Sequence, residues 1–184
     1  MKPRNLIAIC LAVCFGATAA LADQKDPRLE GLFQLLQQTE DQQQAQVVQT
    51  AIWGIWFEAP SASTGMLLKQ GQAAMSGGDY GSALQSFDAL VKLEPDFAEG
   101  WNRRATLHYL MGNYTLSIAD VEKTLRLEPR HFGAMSGLGL IYDALGDEEG
   151  ALAAFQEALK MNPHMPAIEA RAAEIEQTLK SRDI

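Results

Sequence analysis

Leu93-Glu94-Pro95, Leu127-Glu128-Pro129 and Met161-Asn162-Pro163 are three versions of one short tail, and their prolines stand 34 residues apart. Gly78, Gly112 and Gly146 keep the same interval. A fixed period of roughly 20–50 residues marks stacked units, each burying its apolar face only against its neighbours. Glycine supplies the backbone of a tight turn, and proline is tolerated only outside a helix interior. Each interval therefore reads as helix, turn, helix, tail, over residues 64–97, 98–131 and 132–165. In the first unit the spacing predicts helices over about 66–76 and 80–93. Trp101 opens the first helix of the second unit, and the third unit turns at Gly146-Asp147.

Working outward, residues 166–180 read as one more amphipathic helix. Ile168, Ala172, Ile175 and Leu179 face inward, and Glu169, Glu174 and Lys180 face solvent, as a terminal cap should. Before the repeats, Asp26-Pro27 is a helix start, followed by Leu29, Leu32, Phe33 and Leu36 at helical spacing. A Gln-rich stretch leads into a second helix from about Gln42 to Glu58, and Ala59-Pro60-Ser61-Ala62-Ser63 breaks it. Residues 23–63 are thus expected to form a helical hairpin and linker. Residues 1–22 carry Lys2 and Arg4, an apolar run from Leu6 to Phe15, and Ala20-Leu21-Ala22. That is the layout of a cleavable secretory signal, cut between Ala22 and Asp23 and delivering the chain to a periplasm. Two alternatives keep it at the membrane: an uncleaved anchor, or lipidation of Cys14. The latter sits in Leu11-Ala12-Val13-Cys14, where valine departs from the small residue expected before the cysteine.

The repeated units resemble the tetratricopeptide repeat (TPR), whose pattern runs W-x2-L-G-x2-Y, A-x3-F and P over about 34 residues. The third unit matches with Leu138-Gly139, Tyr142, Ala151, Phe155, Ala158 and Pro163. The first has Leu67 at the Trp position, then Gly71, Ala83, Phe87 and Pro95. The second has Trp101, Ala105, Tyr114 and Pro129, but Ser117, Val121 and Thr124 replace the usual Ala, Phe and Ala. The resemblance covers residues 64–180 and implies an all-α, right-handed TPR α-solenoid. Its three repeats lie between an N-terminal helical hairpin and a C-terminal capping helix. Gly71, Ala105 and Gly139 would let paired helices approach, and Phe87 and Phe155 would fill the gap to the next unit.

Composition narrows the function. Lys+Arg number 15 against Asp+Glu 23, a net charge of −8, which argues against a basic nucleic-acid surface. Cys10 and Cys14 both lie in the leader, leaving no thiol chemistry in the processed chain. Phosphate-loop, zinc-protease and nucleophile-elbow motifs are missing from the sequence. His108, His131 and His164 do not converge in sequence, so structural roles are expected for them, with no metal and no cofactor. Asn113-Tyr114-Thr115 has the glycosylation pattern but coincides with a repeat turn. An enzyme is not expected; binding is.

Two surfaces are candidates. In a TPR stack the first helix of each unit lines a concave groove, and that register assigns Leu68, Lys69, Gln72 and Met75 in the first unit. It assigns Asn102, Arg103, Thr106 and Tyr109 in the second, Ser136, Leu140 and Asp143 in the third, and Arg171 in the cap. Lys69, Asn102, Arg103 and Arg171 suggest a site for a carboxylate or an extended peptide backbone. The family's carboxylate clamp resembles this in kind but not in spacing. The other surface is Trp53, Trp56 and Phe57 in the hairpin, either packed into the first repeat or serving a partner or a second copy. The function these readings predict is an exported adaptor that takes a protein or peptide partner in its groove, in cell-envelope assembly or maintenance. The alternative is a self-associating scaffold that uses the Trp-bearing hairpin.

Overall fold

The computed structural model describes residues 25–182, so the leader and its cleavage or lipidation sites lie outside the described residues. Within them the chain is all helical. The hairpin is α1 (Arg28–Gln38) and α2 (Gln42–Trp56). The three units are α3 (Ala62–Ser76) with α4 (Tyr80–Leu93), α5 (Ala98–Leu110) with α6 (Tyr114–Leu127), and α7 (Phe132–Leu145) with α8 (Glu148–Met161). The last helix is α9 (Pro166–Arg182).

Local chemistry sets these boundaries. The Asp79 and Asp147 carboxylates accept from the backbone N–H groups of Ser82 and Gly150, capping α4 and α8. Gly78, Gly112 and Gly146 take φ of 79°, 74° and 78°, the left-handed region that a side chain disfavours. One boundary differs from expectation. The small residues after Pro60 do not all break the chain, because the Ser61 hydroxyl accepts from Thr64 N–H and starts α3 at Ala62.

Pairing within a unit depends on close approach. The Phe87 and Phe155 rings are fully buried against the backbones of Gly71 and Gly139, where an added Cβ would meet ring carbons at 2.4 Å. Burying one such ring is worth about 1.5–3 kcal/mol. The second unit solves the same problem with smaller partners, Ala105 facing Val121, both buried. Its other departures are satisfied internally: Ser117 donates to the Ala105 carbonyl and Thr124 to that of Asp120. Ala172 and Ile175 of α9 cover Ala151 and Phe155, which closes the far end.

The hairpin lies where the sequence did not place it. Its core of Leu29, Phe33, Leu36, Val48, Ile52 and Trp56 is completed by Phe132 of the third unit, with Met161 and Met165 alongside. It does not simply pack into the first repeat; only Phe57, at the end of α2, joins the first-unit cluster around Leu68 and Phe97. Backbone carbonyls secure the remainder. Gln37 donates to Lys160 O, Gln49 to His164 O, and the His164 ring to Leu36 O.

Gly139→Ala should therefore cost about 1–3 kcal/mol by forcing a methyl into the Phe155 ring. Gly54→Ala, which meets nothing within 4 Å on α2, should gain up to about 1 kcal/mol from helix propensity. Urea midpoints of the two variants, read against the parent, check both signs.

Candidate functional site

The helices that line the proposed groove are α3, α5, α7 and α9, and their register positions can be followed one by one. Glu99 is the second residue of its unit, where the other two units have Gly65 and Gly133. Its side chain is completely buried. A buried carboxylate has to be answered by donors, and here three converge. Asn102 Nδ2 donates to Oε2 at 2.9 Å, His131 Nε2 donates to the same oxygen at 3.1 Å, and Arg103 Nε donates to Oε1. The other His131 nitrogen, Nδ1, accepts from Ala134 N–H at 3.0 Å and caps α7. Burial alone would raise the Glu99 carboxyl. The His131 hydrogen bond, the Arg103 charge and Asn102 outweigh it and hold the group below its ordinary value.

The hairpin sits directly on this cluster. The Trp56 ring stacks on His131, centroids 4.1 Å apart and planes 9° from parallel. Trp53 meets His131 and Phe132 edge-on and lies against the bare backbone of Gly133. Arg103 stands 4.5 Å over the Phe57 ring and 5.9 Å from that of Trp53. The two surfaces separated in the sequence are thus one structure. Asn102 and Arg103 are brought together with Trp53, Trp56 and Phe57. Trp56 is buried, so an interface through it would require the hairpin to leave the stack, whereas Trp53 and Phe57 stay partly exposed.

The other groove residues fall elsewhere. Arg171 binds Asp143 through both carboxylate oxygens, at 2.7 and 2.8 Å, and also Glu174. Lys69 is exposed at the first unit and among the described residues makes no ion pair; Gln72 is half-buried one turn further on. Thr106 and Tyr109 line a hollow of about 170 Å3 between α5 and α7, shared with Asn102, Ser136, Gly137 and Leu140 and backed by Val121 of α6. On the opposite side of α5, Arg104 grips Asp120 through both oxygens and reaches Asp88. His108 lies buried beside them, and burial, followed by the Arg104 charge, pushes its ring below the ordinary histidine value. Among the described residues no three His, Cys, Asp or Glu side chains gather as a metal site, and no helix is long and apolar enough to cross a membrane.

The sequence does not single out Glu99 or Gly133, and it assigns His131 only a structural role, not that of partner to a buried carboxylate. Alignment of the units carried the signal for Glu99, a lone charge at a glycine position. Nothing local pointed to the ring that covers it.

Paired helices stacked at a fixed 34-residue interval define a helical-repeat protein. The tetratricopeptide repeat profile matches residues 68–123 and 103–166. The chain belongs to the tetratricopeptide repeat family. A TPR repeat-containing protein of Rhizobium etli is 38% identical over 136 residues, 74% of this chain and 67% of that one. The small glutamine-rich tetratricopeptide repeat-containing protein 2 of Mycosarcoma maydis is 25% identical over 65% of this chain, which spans only 34% of that longer protein. Among solved structures, the Sgt2 TPR domain of Aspergillus fumigatus superposes with a TM-score of 0.63 at 21% identity, covering 68% of this chain and 84% of that one. The first TPR of Spaghetti (RPAP3), bound to an HSP90 peptide, gives 0.62 at 19%, over 66% and 97%. These two likenesses are of fold.

The Glu99 network has a definite pH signature. A carboxyl depressed by folding stabilises fully above its ordinary value near 4.5, and that contribution fades as pH falls through the native value. Glu99→Gln should lose about 1.5–3 kcal/mol at neutral pH. The gap between variant and parent should close on acidification below 4.5, as read by urea unfolding along a pH series.

Proposed function

We propose that this protein is an adaptor that holds a protein or peptide partner in the groove lined by α5 and α7. The observation that carries the reading is the open half of that groove. The hairpin fills the end nearest Glu99 and Gly133, while Thr106, Tyr109, Gly137 and Leu140 still line a hollow beyond it. Spaghetti (RPAP3), whose first TPR shares this fold, was solved bound to an HSP90 peptide, and the TPR2B domain of yeast Sti1 as a pHsp70 complex. That supports a peptide as the class of partner. The leader-like residues 1–22 support export, and with it a role in envelope assembly or maintenance. The packing of Trp56 into the molecule favours the adaptor over the self-associating scaffold. Lys69, Gln72, Asn102, Arg103, Thr106, Tyr109 and Arg171 remain the proposed contact set. Arg103 and Arg171 have structural partners already, so Thr106 and Leu140 are the better probes.

Thr106→Glu with Leu140→Glu places two charges on exposed groove positions without touching the core. Affinity capture from envelope extracts should recover a partner with the parent chain. The double variant should lose it by roughly tenfold or more, ~1.4 kcal/mol. Equal recovery by parent and variant, at equal helicity, would remove the groove from consideration.

A further inference from the structure

The hollow beside Val121 has a cause that can be read across the three units. In the first and third, a phenylalanine at this position fills the gap toward the next unit and lies on a glycine. In the second, Val121 is smaller by most of a ring, and Ala105 replaces only one methyl of the lost volume. Close-packed interiors do not retain such space by default. Here it opens onto the groove between Asn102 and Tyr109 on α5 and Ser136 and Leu140 on α7. Its volume of about 170 Å3 can be set against an engineered apolar cavity of about 150 Å3 that holds benzene.

Charge says which occupant belongs there. Arg103 is committed to Glu99, Arg171 to Asp143 and Glu174, and Arg104 to Asp88 and Asp120. Among the described residues no lysine or arginine lines the hollow to meet a peptide carboxylate. Ala105, Val121, Ala134, Leu140 and Ile141 form its apolar walls, and the Thr106, Ser117 and Ser136 hydroxyls beside them already donate to backbone carbonyls. The surroundings carry no charge and are mostly apolar, complementary to an uncharged side chain.

We infer that this hollow is an anchor pocket that takes one bulky uncharged side chain, of phenylalanine or leucine size, from the bound peptide. The inference rests on the groove reading above and gives the partner its chemistry: recognition centres on an apolar residue rather than on an acidic terminus. The exposed Thr106 side chain at the rim can meet the peptide backbone beside the anchor.

The test restores the pattern of the other units. Ala105→Gly with Val121→Phe recreates the glycine–phenylalanine pair that the protein itself uses twice, so folding is preserved while the space is filled. Val121→Ile, a one-carbon change, is the milder second variant. The probes are N-acetylphenylalanine amide and N-acetylaspartate amide, titrated into the isotope-labelled purified full chain and followed by amide shifts in NMR. The phenylalanine probe should give saturable shifts at Ala134 and Gly137, and the aspartate probe none. Affinity for the phenylalanine probe should fall at least tenfold in the double variant and part of the way in Val121→Ile. Undiminished binding in both variants, absent shifts at Ala134 and Gly137, or equal binding of the aspartate probe would overturn the pocket. Partner capture stays a separate readout. A partner lost on Thr106→Glu with Leu140→Glu but kept by the filled variant overturns the pocket and leaves the groove standing. Probe binding with partner capture untouched by either change overturns the groove reading instead.

Discussion

A carboxylate sealed from water has to be answered on every side, and Glu99 is the point around which this molecule is assembled. Its donors come from α5 itself, through Asn102 and Arg103, and from the next unit, through His131. His131 in turn caps α7 and carries the Trp56 ring on its face. One buried charge therefore fixes the spacing of the second and third units and the seat of the hairpin. Isolated burial of such a charge is unfavourable by several kcal/mol, so the network holds only as a whole. Loss of any donor is felt by the others, because all of them share two oxygens.

The units themselves were legible because their determinants are local and repeated. Turn glycines, tail prolines and the Gly71–Phe87 and Gly139–Phe155 pairs recur at one interval, and the backbone obeys them. The hairpin was legible as two helices but not as a neighbour of Phe132, since the contact joins residues some eighty positions apart and no periodicity encodes it. The candidate site divides in the same way. Register assigned Asn102, Thr106, Tyr109 and Leu140 to the groove face, and in the structure all four line the hollow. It also offered Arg103 and Arg171 as free cations. Their partners Glu99 and Asp143 lie one turn away and 28 residues away, distances a charge pattern does not rank.

The middle unit shows how a repeat can depart from its pattern without losing the fold. Ser117 and Thr124 bring hydroxyls to positions usually filled by alanine, and each donates to a nearby carbonyl, so neither hydroxyl is stranded. Arg104 and Asp120 add a two-oxygen ion pair that ties α5 to α6. These contacts replace, in part, the packing that a phenylalanine would have supplied. With the helix pair held by polar bonds, the smaller Val121 side chain is tolerated, and a hollow is left beside it. The degenerate unit is thus the one whose helices are held more by polar bonds than by a ring.

The hairpin follows from the same logic as a wall rather than a lid. A lid needs a surface that can be uncovered at small cost, with its own core intact on leaving. Here Phe132 belongs to α7 by sequence and to the hairpin by packing, and His131 would lose both Trp56 and Trp53. Removing the hairpin would expose several large apolar side chains at about 1.5–3 kcal/mol each. The hairpin is thus a fixed wall at the Glu99 end of the groove, and under the proposed reading a bound chain enters beside Thr106, Tyr109 and Leu140. A polypeptide threaded from that side meets the hollow before it meets the aromatic wall. Under that reading Trp53 and Phe57 form the far wall of the groove, and the wall sets a limit to the length of peptide taken.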